Sequence, residues 1–314
     1  MESSHVPVLV EETVSFLEPQ RGGTFVDCTV GLGGHAEALL ERGPAIELVG
    51  IDRDPEALEI ASERLARFGA RVVLVEGRFD ALRDLVSQRG ISRLAGVLAD
   101  LGVSSLQVER AERGFSFRRE GPLDMRMGRD SDLTAADVIN RYSEGELEKI
   151  FRDYGEERQA RRIARAVVEA RRRRAFSRTT ELRDLIHRVH GRPRPALRSK
   201  ARIDPATRVF QALRIEVNQE LAGLKTALDQ ALELLDSDGR LVVISYHSLE
   251  DRIVKTALRR ASVGEIDPVT GRRRSETVLI ELLTRKPVRP SAEEVARNPR
   301  ARSARLRAAR RLDS

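Results

Sequence analysis

The stretch DCTVGLGGH, residues 27–35, joins an apolar strand predicted at 24–29 to a helix predicted at 35–43. Its glycines allow the backbone to approach a ligand closely, and the first turn of a helix offers unpaired amides to a negative group. A strand, a glycine-rich turn and a helix in this order are typical of α/β domains that bind an adenosine cofactor. The stretch therefore predicts an α/β fold with a cofactor loop after its first strand.

Helices and strands continue to alternate after this loop. Pro55 suits the first turn of one predicted helix, and Gly69 suits its end. Strands separated by helices of this length indicate a parallel sheet with right-handed crossovers. The predicted elements are strands at 47–51, 71–76 and 94–99 and helices at 54–68 and 80–88.

The alternation stops between residues 107 and 207, where the pattern is helical with basic loops and no buried strand is predicted. We therefore expect one α/β domain, formed by residues 1–106 and 208–314, that is interrupted by a helical domain at 107–207. The segment 285–311 holds ten Arg or Lys and two acids, which predicts a basic tail or lid. The elements expected after the interruption are a long helix at 208–235, a strand at 240–246, a helix from Leu249 and a strand at 277–284.

The composition favours a nucleic-acid partner. The net charge is +7, and most of the positive charge is arginine, whose planar guanidinium suits phosphate. A GC-rich genome also raises the arginine content, so composition alone leaves this open. The chain has a single cysteine, no apolar stretch long enough to span a bilayer, and no signal-peptide pattern in residues 1–12. We expect a cytoplasmic protein with no membrane partner and no metal.

An acid ends three of the predicted strands: Asp27, Asp52 and Asp100. Asp52 is placed to accept hydrogen bonds from ribose hydroxyls. The loop also satisfies the relaxed dinucleotide pattern G-x-G-x-x-A from Gly31 to Ala36, so it does not by itself exclude NAD. Three acids suit a cationic cofactor better than a pyrophosphate, although each acid could instead cap a helix or a turn.

Nine motifs in order closely resemble the family of ribosomal RNA small subunit methyltransferase H. Their order and spacing cover nearly the whole chain, from His5 to about Arg307. The motifs are DCTVGLGGH (27–35), IDRDP (51–55), DLGVSS (100–105), RGFSF (113–117), GPLDMRM (121–127), RVFQALR (208–214), NQE (218–220), SYHSLEDR (245–252) and NPRARS (298–303).

The resemblance implies a Rossmann-like class I methyltransferase with a mostly parallel seven-stranded sheet and an inserted helical domain for RNA recognition. It implies S-adenosylmethionine as cofactor and methylation of the N4 amino group of a cytosine in the decoding region of 16S rRNA. The expected partner is 16S rRNA or the small ribosomal subunit, and the chain is expected to be a monomer or a homodimer. The residues that match the family's cofactor contacts are Gly33, Gly34, His35, Asp52, Phe79, Asp100 and Gln107.

Three side chains are candidates for the reacting centre. Asp100 comes first, because amino-directed methyltransferases commonly place an Asp, Asn or Ser after the fourth strand; the Pro-Pro-aromatic sequence that usually follows is absent here. Asp124 and His247 are weaker candidates. Asp124 lies in GPLDMRM, which we expect to form a loop over the site, and His247 lies just past a predicted strand end.

A row of arginines predicts a contact with RNA phosphates. Arg158, Arg161, Arg162 and Arg165 lie on one face of a predicted helix, and residues 171–174, 192–202 and the C-terminal segment extend the basic surface. A merely solvated face is the alternative. His187 and His190 are more typical of surface residues than of metal ligands, since no third ligand accompanies them. An RNA-binding protein without activity and an NAD-dependent oxidoreductase remain competing functions.

Overall fold

A computed structural model describes residues 7–128, 130–191, 204–264 and 278–313. The chain divides into two compact units: a sheet unit, Met1–Gly102 with Leu221–Ser314, and a helical unit, Val103–Glu220. The helical unit therefore begins earlier and ends later than the predicted 107–207. The second boundary differs because the helix Pro205–Asn218 belongs to the helical unit.

Seven strands of the sheet unit form one sheet in the order β3-β2-β1-β4-β5-β7-β6. β3, β2, β1, β4 and β5 run parallel to one another, and β7 is antiparallel to both β5 and β6. This confirms the predicted mostly parallel, Rossmann-like sheet. The strands are β1 (Gly23–Asp27), β2 (Ile46–Asp52), β3 (Val72–Glu76), β4 (Leu94–Asp100), β5 (Leu235–Ser245), β6 (Ile280–Leu282) and β7 (Arg305–Arg311).

The helices of the described residues follow in chain order. They are α1 (Val10–Leu17), α2 (Gly34–Arg42), α3 (Pro55–Leu65), α4 (Leu82–Ser87), α5 (Ser105–Glu109), α6 (Ala135–Arg141), α7 (Glu144–Asp153), α8 (Ala160–Arg171), α9 (Thr179–His190), α10 (Pro205–Asn218), α11 (Glu220–Leu234), α12 (Ser248–Val263) and α13 (Ala292–Arg297).

The sheet is buried on both faces, which explains its nearly continuous apolar strands. Successive side chains of a strand point to opposite faces. Val26 of β1 and Val49 of β2 accordingly belong to one apolar core, while Phe25 and Leu48 belong to the other. Burial on both sides holds the carboxyl ends of the strands in register, and the site described below lies at that edge.

The prediction of a basic tail or lid at 285–311 is wrong. This segment contains α13 and then β7, which lies between β5 and β6 in the sheet. Leu306 and Ala308 of β7 are fully buried, and the Arg307 guanidinium is neutralised by Asp251, with Nε 2.7 Å from Oδ1. Small apolar residues alternating with paired arginines therefore form a strand despite the high charge.

The single long helix predicted at 208–235 is also wrong. Its residues belong to two helices, α10 and α11, because Gln219 adopts a left-handed conformation with φ 53°. The side chain of Asp204 caps the start of α10 by accepting a hydrogen bond from the Ala206 amide.

The helical unit has an apolar core of its own, and the GPLDMRM segment is part of it. Leu123 and Met125 are 1% exposed. The Met127 amide donates to Asn218 Oδ1 at 2.9 Å, and Asn218 Nδ2 donates to the Met125 carbonyl at 2.8 Å. The expectation that this segment is a loop rather than core is therefore wrong: it lacks helical or strand periodicity, but Leu123 and Met125 are core.

Candidate cofactor and catalytic site

The structure brings Asp27, Asp52 and Asp100 to one edge of the sheet. They end β1, β2 and β4, which are neighbouring parallel strands in the order β2-β1-β4. The carboxyl ends of parallel strands meet at the edge where α/β domains bind ligands. Negative charge is therefore concentrated beside the glycine turn that follows β1.

Asp52, at the end of β2, hydrogen-bonds to the backbone of this turn. Its Oδ2 accepts a hydrogen bond from the Gly31 amide at 2.8 Å, and its Oδ1 accepts one from the Asp54 amide at 3.0 Å. Gly31 and Gly33 have φ of 51° and 81°, which favour glycine. Burial raises the pKa of Asp52 to about 6, although the two amides partly offset the increase.

Asp27 is the most deeply buried of the three acids, with 1% of its surface exposed. Burial raises its pKa to about 7; the charge of His35 and the hydrogen bond from the Thr29 amide oppose this, while Asp100 and Asp52 add to it. A carboxyl group with this pKa is partly protonated at neutral pH. A cation bound beside it would stabilise the ionised form.

Asp100 lies at the centre of a hydrogen-bonded network. Its Oδ1 accepts from Tyr246 Oη at 2.8 Å, its Oδ2 lies 3.4 Å from His35 Nε2, and its amide donates to Thr29 Oγ1 at 2.7 Å. Burial would lower the pKa of His35, but the neighbouring Asp100 and Asp27 carboxylates raise it overall. His35 Nδ1 is buried and has no hydrogen-bond partner among the described residues.

Sequence reasoning missed Tyr246 and Thr29. Tyr246 directly follows β5, and β5 is the neighbour of β4 in the sheet. The rule that identified the acids, that side chains at neighbouring strand ends converge, also applies to Tyr246. Thr29 carried no comparable signal, since its role depends on the path of the turn after β1.

Phe79 and Gln107 also match the family's cofactor contacts, but their neighbours differ from those of the three acids. Phe79 follows β3, is half-buried, and packs against the core of the sheet unit. Gln107 belongs to the helical unit, where it is buried and forms a capping box with Ser104 at the start of α5. The Ser104 amide donates to Gln107 Oε1 at 3.1 Å, so this side chain already has a structural partner.

The glycines at the start of α2 complete the matched set. Gly33 precedes the helix in the left-handed conformation, and Gly34 is its first residue. A Cβ at Gly34 would lie 2.9 Å from Pro7 Cγ, so a larger residue would push the two segments apart. These glycines are thus required by the local backbone, whatever the ligand.

The two weaker catalytic candidates have structural partners. Burial would raise the pKa of Asp124, but the Arg126 guanidinium, which donates two hydrogen bonds to it, holds the pKa below its usual value. His247 caps α12: its Nδ1 accepts from the Glu250 amide at 3.4 Å, and its Nε2 lies 3.1 Å from Glu250 Oε1. These contacts favour Asp100 as the side chain nearest the chemistry.

The arginine row lies on α8 of the helical unit. Arg161, Arg162 and Arg165 are exposed, while Ile163 and Val167 on the opposite face are fully buried. The prediction that Arg158 is on the helix is wrong, because the helix begins at Ala160; Arg158 is nevertheless exposed.

The other residues of the predicted basic surface differ in exposure. Arg171 is half-buried and donates to the carbonyls of Ile139 and Tyr142, each at 2.6 Å, so it holds the fold. Arg172, Arg173 and Arg174 are exposed. The predicted basic loop at 192–202 lies outside the described residues.

No group of three or more potential ligands could hold a metal ion within the part of the chain that the structure describes. His187 Nε2 instead lies 2.8 Å from Asp204 Oδ1. None of the described helices is both long and apolar enough to cross a bilayer.

Comparison with known proteins places the chain in a family. Residues 2–312 match the MraW methylase family. Proteins named ribosomal RNA small subunit methyltransferase H are similar: that of Dehalococcoides mccartyi is 48% identical over 99% of this chain and 88% of its own length. The Carboxydothermus hydrogenoformans protein is 47% identical over 99% of both chains. A solved rRNA methylase from Streptococcus thermophilus aligns with 99% of this chain and all of its own at a TM-score of 0.44 and 10% identity. By its sequence match, the chain belongs to the MraW methylase family.

Proposed function

We propose that this chain transfers a methyl group from S-adenosylmethionine to the N4 amino group of a cytosine in the decoding region of 16S rRNA. Its relatives are named as small-subunit rRNA methyltransferases. The observation that carries the proposal is the group of three carboxylates beside the glycine turn. The proposed setting is the cytoplasm, with 16S rRNA or the small subunit as partner and the chain a monomer or a homodimer.

The donor set fits this cofactor. Burial raises the pKa of Asp27 and Asp52, and the charge of His35 only partly opposes this at Asp27. A sulfonium and an α-ammonium group would supply the missing positive charge, whereas a pyrophosphate would be repelled. Asp52 is only half-buried, so its carboxylate, which already accepts backbone amides, can also accept a hydrogen bond from a ribose hydroxyl. When bound, S-adenosylmethionine supplies an electrophilic methyl group.

Asp100 is the proposed catalytic residue. The lone pair of a cytosine N4 amine is delocalised into the ring, so the amine is a poor nucleophile. A carboxylate that accepts a hydrogen bond from the amine orients it and favours loss of its proton. Asp100 keeps 20% of its side chain exposed although both oxygens have neighbours, which leaves room for this contact.

The remaining matched residues take supporting roles in the proposal. Gly33, Gly34 and His35 would hold the methionine end, Phe79 would pack on the adenine, and Gln107 stays a prediction from the family pattern. The helical unit is the proposed RNA-recognition domain, with the exposed arginines of α8 on the phosphates.

The proposal is tested by incubating the chain with methyl-labelled S-adenosylmethionine and rRNA. Label is expected in 16S rRNA or small subunits and not in 23S rRNA. NAD, which the glycine loop alone would permit, should neither bind nor compete. Tight binding of NAD, or label in 23S rRNA alone, would overturn the proposal.

Asp52→Ala is expected to weaken binding of S-adenosylmethionine by about 1–3 kcal/mol, because ribose hydroxyls lose their acceptor. Titration calorimetry on the folded variant measures this. Asp236→Ala is the matched control, since Asp236 is an exposed carboxylate at the first residues of β5, the opposite end of that strand from the site. Equal affinities for the wild type and Asp52→Ala would remove Asp52 from the site.

Cofactor affinity is expected to rise with pH between about 5 and 8. Cation binding favours the ionised carboxylates, so Asp27 and Asp52, with pKa values of about 7 and 6, release protons when the cofactor binds. The stability of the free protein changes with pH in the opposite direction. Folding raises both pKa values, so ionisation of these groups lowers the free energy of unfolding as pH rises from about 4 to about 7.

Calorimetry in two buffers of different ionisation enthalpy counts the released protons. The count at pH 6.5 should fall in Asp27→Asn, leaving the contribution of Asp52, while Asp236→Asn should match the wild type. The charges of His35 and Asp100 also act on Asp27, and a proton taken up or released by His35, whose pKa is raised, enters the same measurement. Affinity that is independent of pH in the wild type would contradict a cationic ligand beside these acids.

A further inference from the structure

Tyr246 stands beside the proposed catalytic carboxylate and has no assigned role. We infer that Tyr246 is a positioning residue, which holds the Asp100 carboxylate in one orientation during methyl transfer through its Oη–Oδ1 hydrogen bond of 2.8 Å. The inference rests on the proposed function, because it assumes that Asp100 meets the substrate amine.

Two contacts hold the backbone of Asp100 independently of its side chain. The Asp100 amide donates to Thr29 Oγ1 at 2.7 Å, and Asp100 pairs with Ile244 in the β4–β5 register. What remains free is rotation of the carboxylate. Tyr246 Oη holds one oxygen, and His35 Nε2 lies 3.4 Å from the other.

Tyr246 is anchored through its backbone, and one side of its ring faces Gly102. Its amide donates to Glu250 Oε2 at 2.8 Å, at the start of α12. A Cβ added at Gly102 would lie 3.4 Å from Tyr246 Cδ2, an ordinary contact distance. Gly102 has φ 107°, which disfavours any side chain there. The Glu250 contact positions the Tyr246 backbone at the start of α12, and the hydroxyl reaches Asp100 from there.

The phenol acts as a donor and not as a base. Burial and the negative charges of Asp100, Glu250 and Glu294 raise the pKa of Tyr246 well above its usual value. It therefore stays protonated at neutral pH and donates to the carboxylate. Because small errors in the placement of reacting groups can cost about 100-fold in rate, loss of this hydrogen bond should affect the chemical step and leave binding intact.

The test is Tyr246→Phe, which removes the hydroxyl and keeps the ring. The single-turnover rate at saturating cofactor and RNA should fall about 10- to 100-fold, while both dissociation constants stay within about twofold. Tyr142→Phe is the matched control: Tyr142 Oη donates to Glu216 Oε1 at 3.0 Å in the helical unit, and its loss should leave the rate unchanged.

A double-mutant cycle separates positioning from packing. Tyr246→Phe should slow the wild type but not the Asp100→Ala variant, because the hydroxyl acts through Asp100. The free protein gives a second readout: the same substitution should lower the urea midpoint in the wild type and leave it unchanged in Asp100→Ala. An equal rate loss in both backgrounds, or none in either, overturns the inference. A wild type that methylates no rRNA, with the coupling in urea intact, overturns the proposed function instead.

Discussion

Asp100→Ala is expected to slow methyl transfer by about 10²–10⁴-fold, the range typical of a lost general acid–base group. The reason is geometric: Asp100 ends β4 beside the glycine turn and is held there by Tyr246 and Thr29. Cofactor affinity should fall much less than the rate, since Asp27 and Asp52 remain. Single-turnover rates at saturating cofactor measure the effect.

The other two candidates serve as controls for this prediction. Asp124→Ala and His247→Ala should keep rates near the wild type at a temperature where both variants are folded, because their side chains are bound to Arg126 and Glu250. Asp100→Asn keeps the shape and removes the charge, and it should be nearly as slow as Asp100→Ala. A near-wild-type rate in both Asp100 variants would give Asp100 a structural role only.

Changing Arg161, Arg162 and Arg165 together to Gln is expected to weaken RNA binding about 10- to 100-fold at low salt. Each lost phosphate contact should also reduce the slope of log affinity against log salt by about 0.7–0.9, so the total change is about 2–3. The three side chains are exposed, and the opposite face of α8 is buried. Affinity for S-adenosylmethionine should not change.

The control variant also removes three positive charges, but from a surface that carries acidic residues as well. Arg141, Lys149 and Arg152 are exposed on α6 and α7, and Arg141 and Arg152 already pair with acids. Their replacement by Gln should leave the salt slope nearly unchanged. If the α8 variant also keeps the parent's slope, its arginines are only solvated. If both variants lower it equally, net charge and not a specific surface binds the RNA.

The sheet and its acids could be predicted from sequence because their signals are local. Apolar strands between amphipathic helices indicate a parallel sheet, and its strand ends then place Asp27, Asp52 and Asp100 at one edge. Local patterns did not predict β7, because its many arginines are typical of a solvent-exposed segment. The partner that neutralises Arg307 is Asp251, on α12, and no local pattern reveals it.

The contacts that distinguish the candidates also depend on distant residues. GPLDMRM lacks periodicity, yet its Met125 carbonyl is bound by Asn218, so the segment is core. Tyr246 lies at a predictable edge, but its hydrogen bond to Asp100 depends on β5 being next to β4 and on the ring packing at Gly102. Long-range packing therefore determines which of the predicted residues are core and which have a polar partner.

The most direct test of the central claim identifies the methylated atom. Unmethylated 16S rRNA or small subunits are incubated with the chain and S-adenosylmethionine, and the RNA is digested to oligonucleotides and nucleosides for mass spectrometry. We expect N4-methylcytidine, confined to one cytosine of the decoding region and strongly reduced in Asp100→Ala. A methyl group on C5, on a ribose or on a cytosine outside the decoding region would contradict it.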